Sequence, residues 1–262
     1  MSDVEGRPAS TMSTERRYGI AISVALILGG VYWALTGLTE GTKSSQDSYP
    51  VQGDALRIDG GSAEVEVRAG DGSDVKVERQ FERNVFGSDP KEKYDNGKLE
   101  LNDSGCGFLS FGCKTSYILT VPENVQVTLK SSSGDIRVSG LTAGADLQSS
   151  SGSIEVHDVA GAVRLESSSG DLEAQDLRAS TVSTESSSGS VDLDFAVAPL
   201  SVDSKASSGD VSIRIPSGQE SYKVDTDTSS GDESATVKID QTSTRTIKAK
   251  TSSGDVTIEY NR

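Results

Sequence analysis

Seven near-identical turns dominate this chain: Ser131–Asp135, Ser149–Ser153, Ser167–Asp171, Ser186–Ser190, Ala206–Asp210, Thr228–Asp232 and Thr251–Asp255. Their glycines, Gly134, Gly152, Gly170, Gly189, Gly209, Gly231 and Gly254, follow at intervals of 18, 18, 19, 20, 22 and 23 residues. Such a repeat constrains the fold more than any local propensity, because every unit must solve the same packing problem. Seven places before each glycine stand Val127, Ala145, Val163, Val182, Val202, Val224 and Ile247. Two places after stand Ile136, Ile154, Leu172, Val191, Val211, Glu233 and Val256, and four after stand Val138, Val156, Ala174, Leu193, Ile213, Ala235 and Ile258. Glu233 alone breaks these three apolar columns.

Within each unit apolar and polar residues alternate with period two, which is the pattern of a strand with one wet face. A unit this short holds no crossover helix and cannot bury its apolar face alone. Stacking the units in register turns each column into a continuous core. The reading is an all-β fold, a single-stack β-solenoid resembling a parallel β-helix, with each rung about 4.8 Å above the last. A sandwich of antiparallel hairpins also fits the alternation, but it does not explain why one turn keeps returning to one column.

In the solenoid the turn becomes a corner between two faces. Glycine supplies a backbone conformation that other residues resist. Continued alternation points the first and third serines inward: Ser131 and Ser133, Ser149 and Ser151, Ser167 and Ser169, Ser186 and Ser188. There their hydroxyls can satisfy corner backbone groups. A nucleophilic role would need a base in every rung, and the chain has one histidine, His157. The residue after the glycine reads Asp135, Ser153, Asp171, Ser190, Asp210, Asp232, Asp255. Stacked carboxylates repel by roughly 0.9 kcal/mol per neighbour in water, and alternation with serine relieves this in the first four rungs. Asp210, Asp232 and Asp255 have no such relief, so they are the candidate metal ligands, for Ca²⁺, against the simpler reading of a solvated acidic edge. No cofactor is expected.

Outside the array, residues 55–122 contain the alternating segments ALRI, SAEVEVRA, DVKVERQF, KLELN and TSYILTVP. They read as an irregular β-rich N-terminal cap with the first rungs, and the repeat solenoid follows over 123–262. The last repeat reaches Tyr260, which leaves an open C-terminal edge, and Glu233 predicts a bulge before Ala235 and Val237.

The net charge is -15. Residues 1–38 sum to zero, so the excess lies in 39–262. An acidic domain of this kind argues against nucleic acid as a partner. Tyr18 to Leu38 is an uncharged apolar run about as long as a bilayer is thick. Arg16 and Arg17 precede it, so the positive-inside rule makes 1–17 a cytoplasmic tail, 18–38 one transmembrane helix and 39–54 a polar linker to an extracytoplasmic domain. The alternative is a cleaved signal peptide, against which the run is long and lacks a small-residue cleavage site. Outside the cytoplasm, Cys106 and Cys113 are expected to form a disulfide closing a small loop. Phe108, Leu109 and Phe111 within it form a possible binding loop, or else tuck under the neighbouring sheet.

The serial S-S-G-D-[IV]-x-[IV] units, the earlier G-x-x-x-V-x-V segment and the entry VPENVQVTLKSSSGDI resemble the DUF4097 family of β-strand-repeat proteins, described as adhesins. The resemblance covers roughly 51–260, and the composition and Arg-flanked anchor look like those of a bacterial membrane-anchored member. It implies a β-solenoid outside the membrane, often encoded near envelope-stress genes, and no catalytic residue can be carried over. The leading expectation is a non-enzymatic envelope scaffold or adhesin that binds wall polymer or a membrane protein. An accessory of envelope-stress signalling comes second. A carbohydrate-active enzyme comes third, since the carboxylates are spread over every rung.

Overall fold

A computed structural model describes residues 42–82, 91–101 and 115–261. Among these the secondary structure is strand and turn, and no helix is long and apolar enough to cross a membrane. The predicted span Tyr18–Leu38 lies outside the described residues.

The described residues begin with β1 (Thr42–Pro50), β2 (Ala55–Gly61), β3 (Glu64–Gly70), β4 (Asp74–Glu82), β5 (Glu92–Asp95), β6 (Lys98–Leu101) and β7 (Thr115–Pro122). The seven repeats then supply seven strand pairs, one for each corner. They are β8 (Gln126–Ser131) with β9 (Ile136–Ser139), β10 (Gly144–Ser149) with β11 (Ile154–His157), and β12 (Ala162–Ser167) with β13 (Leu172–Leu177). Next come β14 (Thr181–Ser186) with β15 (Val191–Phe195) and β16 (Ser201–Ala206) with β17 (Val211–Ile215). The last are β18 (Lys223–Thr228) with β19 (Glu233–Ala235) and β20 (Thr246–Thr251) with β21 (Val256–Tyr260). The first strand of each pair joins one sheet and the second joins the other.

Repeat strands pair parallel and in the register of the columns: Val127 beside Ala145, Ala145 beside Val163, Ile136 beside Ile154. That excludes the sandwich of antiparallel hairpins. Their inward rows meet in one core, where Leu129, Leu147, Leu165, Ile136, Ile154 and Leu172 are fully buried. A rung taken alone would leave both inward rows uncovered above and below, so it exists only between neighbours.

The spatial order departs from the sequence order at both ends. The sheets run β1-β4-β7-β3-β9-β11-β13-β15-β17-β21-β19 and β18-β20-β16-β14-β12-β10-β8-β2-β6-β5. The last repeat, β20–β21, is thus threaded between β16–β17 and β18–β19. Likewise β2–β3 lies between β6–β7 and β8–β9. The expected open edge at the last repeat is corrected, and the reason is the polarity of the inward rows. Ile247, Ala249, Val256 and Ile258 are buried and need cover on both sides. The corresponding row of β18–β19, with Thr226 and Glu233, can face solvent.

Two further expectations change. Glu233 sits in register with Val256 and forms no bulge. It lies across the open end of the core, where Thr226 Oγ1 donates to its Oε2 at 2.6 Å and the Thr228 N–H to its Oε1 at 3.1 Å. The predicted linker 39–54 is largely strand: β1 pairs antiparallel with β4, which pairs antiparallel with β7. These strands and the β5–β6 hairpin close the N-terminal end.

Candidate functional site: the serine corner

The seven corners stack into a ridge that runs the length of the array. Glycine is required there by close approach. A Cβ on Gly152 would lie 2.2 Å from the Gly134 carbonyl oxygen, one on Gly170 2.4 Å from that of Gly152, and one on Gly254 2.3 Å from that of Gly209. All of these clashes are with backbone, so no side chain can yield. Gly189, Gly209, Gly231 and Gly254 also have φ of 132, 127, 152 and 134°, whereas Gly134, Gly152 and Gly170 do not take positive φ. The conformational reason expected from the sequence thus applies to four of the seven corners, and the steric reason to all.

The serines divide differently from the alternation. The first position points inward as predicted, and Ser131, Ser149, Ser167 and Ser186 are buried. Ser131 Oγ donates to Gly134 O at 2.9 Å, and Ser149 Oγ accepts the Gly152 N–H at 2.8 Å. The third position, Ser133, Ser151, Ser169 and Ser188, is exposed, which corrects the expectation. The strand ends at the first serine, the corner breaks the period, and the glycine takes the next inward place. Two exposed serines in each of seven corners make fourteen outward hydroxyls in two adjacent columns.

The aspartates have a structural task. The Asp135 carboxylate accepts the backbone N–H of Ser153 at 3.1 Å, and that of Asp171 accepts the Ser190 N–H at 2.8 Å. Asp210 accepts from Asp255 at 2.9 Å, and Asp255 from Asp232 at 2.8 Å. Each carboxylate thus pairs an amide of the adjacent rung at a corner, where an unpaired amide is costly. The trio Asp210, Asp255 and Asp232 stands in that spatial order. Among the described residues no group of three His, Cys, Asp or Glu is gathered closely enough to hold a metal.

Beside the ridge runs a groove of about 600 Å³. Its wall is one outward column, Asp59, Lys130, Gln148, Glu166 and Glu185, set in line by strand register. Its other side includes Ser132, Ser150, Ser168 and Ser187. Gln148 donates to Glu166 at 2.7 Å. Ser167 also lines the groove; it is 6% exposed, and its buried Oγ has no hydrogen-bond partner among the described residues. The repeated turns drew attention to the serines, but the column from Asp59 to Glu185 carried no signal in the sequence, and that the two border a concavity is a tertiary fact.

Cys106, Cys113, Phe108, Leu109 and Phe111 lie outside the described residues. His157 is exposed and pairs with Asp176 at 2.9 Å, on the outer face of β11 away from the serines. A cluster that the sequence did not reveal joins β1, β4 and β5. Tyr49 stacks on Tyr94 with centroids 5.1 Å apart, and its hydroxyl donates to Glu92 Oε1 at 2.9 Å. Arg79 bridges Glu92 Oε2 at 2.5 Å and Asp47 at 2.7 Å. Burial, with the carboxylate of Glu92 alongside, pushes the Tyr49 hydroxyl up to about 12. The Glu92 side chain is 1% exposed, and a carboxylate so deeply buried persists because it is paired. The cluster fastens the entering strand to the end of the stack.

The repeated corner, parallel stack and irregular N-terminal closure meet their counterpart in a family model described as Toastrack DUF4097, which matches residues 54–262. The chain belongs to this family. No curated protein matches it. Among solved structures, a candidate adhesin from Bacteroides fragilis has 16% identity, covers 84% of this chain and 97% of its own, and superposes with a TM-score of 0.56. A candidate adhesin from Parabacteroides distasonis has 13% identity, 85% and 98% coverage and a TM-score of 0.48. The first of these shares the Toastrack fold.

Proposed function

We propose that this Toastrack chain is a non-enzymatic adhesion module of the cell envelope. In this reading Tyr18–Leu38 is an uncleaved membrane anchor with its N-terminus in the cytoplasm, and the solenoid stands outside and binds wall polymer. The observation that carries it is the groove along the serine corner, where Ser132, Ser150, Ser168 and Ser187 face an outward polar column: a long polar contact surface of repeated, weakly nucleophilic groups. The description of a structural relative as an adhesin supports the same reading. A serine hydrolase would need a base beside its nucleophile, and His157 stands on another face.

Beads coated with residues 42–262, which carry a complete core of their own, test this on isolated cell-wall sacculi. Saturable retention is expected, with no release of sugar ends. Retention equal to beads carrying an unrelated acidic protein would refute the adhesive reading, and sustained glycan turnover would refute its non-enzymatic half.

A further inference from the structure

We infer that the corner groove binds a linear glycan strand, uncharged or amine-bearing, laid parallel to the stack; the inference rests on the adhesive reading and assigns it a ligand class. It begins with which position varies. In stacking order the inward place reads Ser131, Ser149, Ser167, Ser186, Ala206, Thr251 and Thr228, so the place that touches the core tolerates replacement. The two outward places are serine in every corner. Turn chemistry alone would equally accept Asn, Asp, Thr or Gly there. Among the described residues no outward hydroxyl is drawn into a hydrogen bond within the protein, and each can both donate and accept, as sugar hydroxyls do.

The groove supplies the rest of the recognition chemistry. It crosses five successive rungs, β2, β8, β10, β12 and β14, or roughly 19 Å at the strand spacing. A ligand that meets the same groups at each step is a polymer along the axis. Asp59, Glu166 and Glu185 against Lys130 give the wall a net charge of -2 from three acids and one base, within a chain of -15. This disfavours phosphate-bearing wall polymers and leaves neutral strands or those with free amines. No lining residue is aromatic, so without a stacking platform affinity accumulates rung by rung.

The test is a titration of residues 42–262, read by amide chemical shifts, with β-1,4-linked N-acetylglucosamine oligomers, their deacetylated forms and a glycerol-phosphate polymer. Shifts are expected at Ser150, Ser168 and Ser187, with affinity rising with oligomer length until the strand spans the groove. Deacetylated oligomers should bind tighter at low salt. Combining Ser150→Ala, Ser168→Ala and Ser187→Ala should weaken binding about tenfold, while Ser208→Ala with Ser253→Ala, on the ridge beyond the groove, should leave it unchanged. Unchanged affinity in the triple variant, shifts confined to another face, or equal binding of the phosphate polymer would overturn the inference. Retention on sacculi without any glycan shift would sink it and leave the adhesive reading standing; loss of retention would sink both.

Discussion

Gly152→Ala is the sharpest probe of how the corner works, because Gly152 does not take positive φ and the substitution therefore isolates stacking. The new Cβ would lie 2.2 Å from Gly134 O and 2.6 Å from Gly134 C. A comfortable carbon–oxygen contact is about 3.3 Å, so two rungs spaced about 4.8 Å apart must separate locally by about 1 Å. Overpacking of this kind costs about 1–3 kcal/mol. The shift also weakens the Ser150 N–H bond to Ser131 O and the Ser153 N–H bond to Asp135, both 3.1 Å, each worth about 1 kcal/mol. The expected loss is about 3–5 kcal/mol, or roughly 6–20 °C in Tm for a unit of this size. Gly53→Ala is the control: φ is +86° and a Cβ there meets nothing within 4 Å, so only the left-handed penalty of about 1–2 kcal/mol applies. Urea unfolding of residues 42–262, followed by circular dichroism, gives both values. If Gly152→Ala loses no more than Gly53→Ala, close approach does not set the corner and the argument from stacking fails.

Two other outcomes follow from the same geometry. Ile258→Ala, in the threaded last repeat, should lose about 2–5 kcal/mol, whereas Val224→Ala on the half-buried end rung should lose less than about 1 kcal/mol. Equal losses in thermal or urea unfolding would mean that the repeats stack in sequence order. The raised Tyr49 hydroxyl makes the folded state hold its proton where the unfolded chain, with an ordinary tyrosine near 10, releases it. Its contribution is full below about pH 10 and is lost as pH rises from there to about 12; stability followed across this window with the Tyr49→Phe variant, which should lack that component, checks the sign.

Much of the molecule was legible before any coordinates. The columns through Val127, Ile136 and Val138 announce strands, their spacing announces parallel rungs, and one recurring turn announces a corner. The alternation could not say where the strand period stops, so Ser133 and its equivalents fell on the wrong side. Nor could it find β1: TKSSQDSYP has no apolar stripe, and it becomes a strand only because β4 offers an edge. The Tyr49–Glu92–Arg79 cluster spans 43 residues of sequence and leaves no local pattern.

The sequence by itself determined the rung, because side-chain alternation and a glycine turn between two strands are local properties repeated seven times. The order of the rungs was decided only by the tertiary structure. Repeats with the same turn and register can pair with any neighbour, and the choice between them lies in which apolar rows need cover on both sides. The groove was decided there too. Lys130, Gln148, Glu166 and Glu185 lie 18 or 19 residues apart in the chain, and only the closing of the stack sets them side by side along the serine corner.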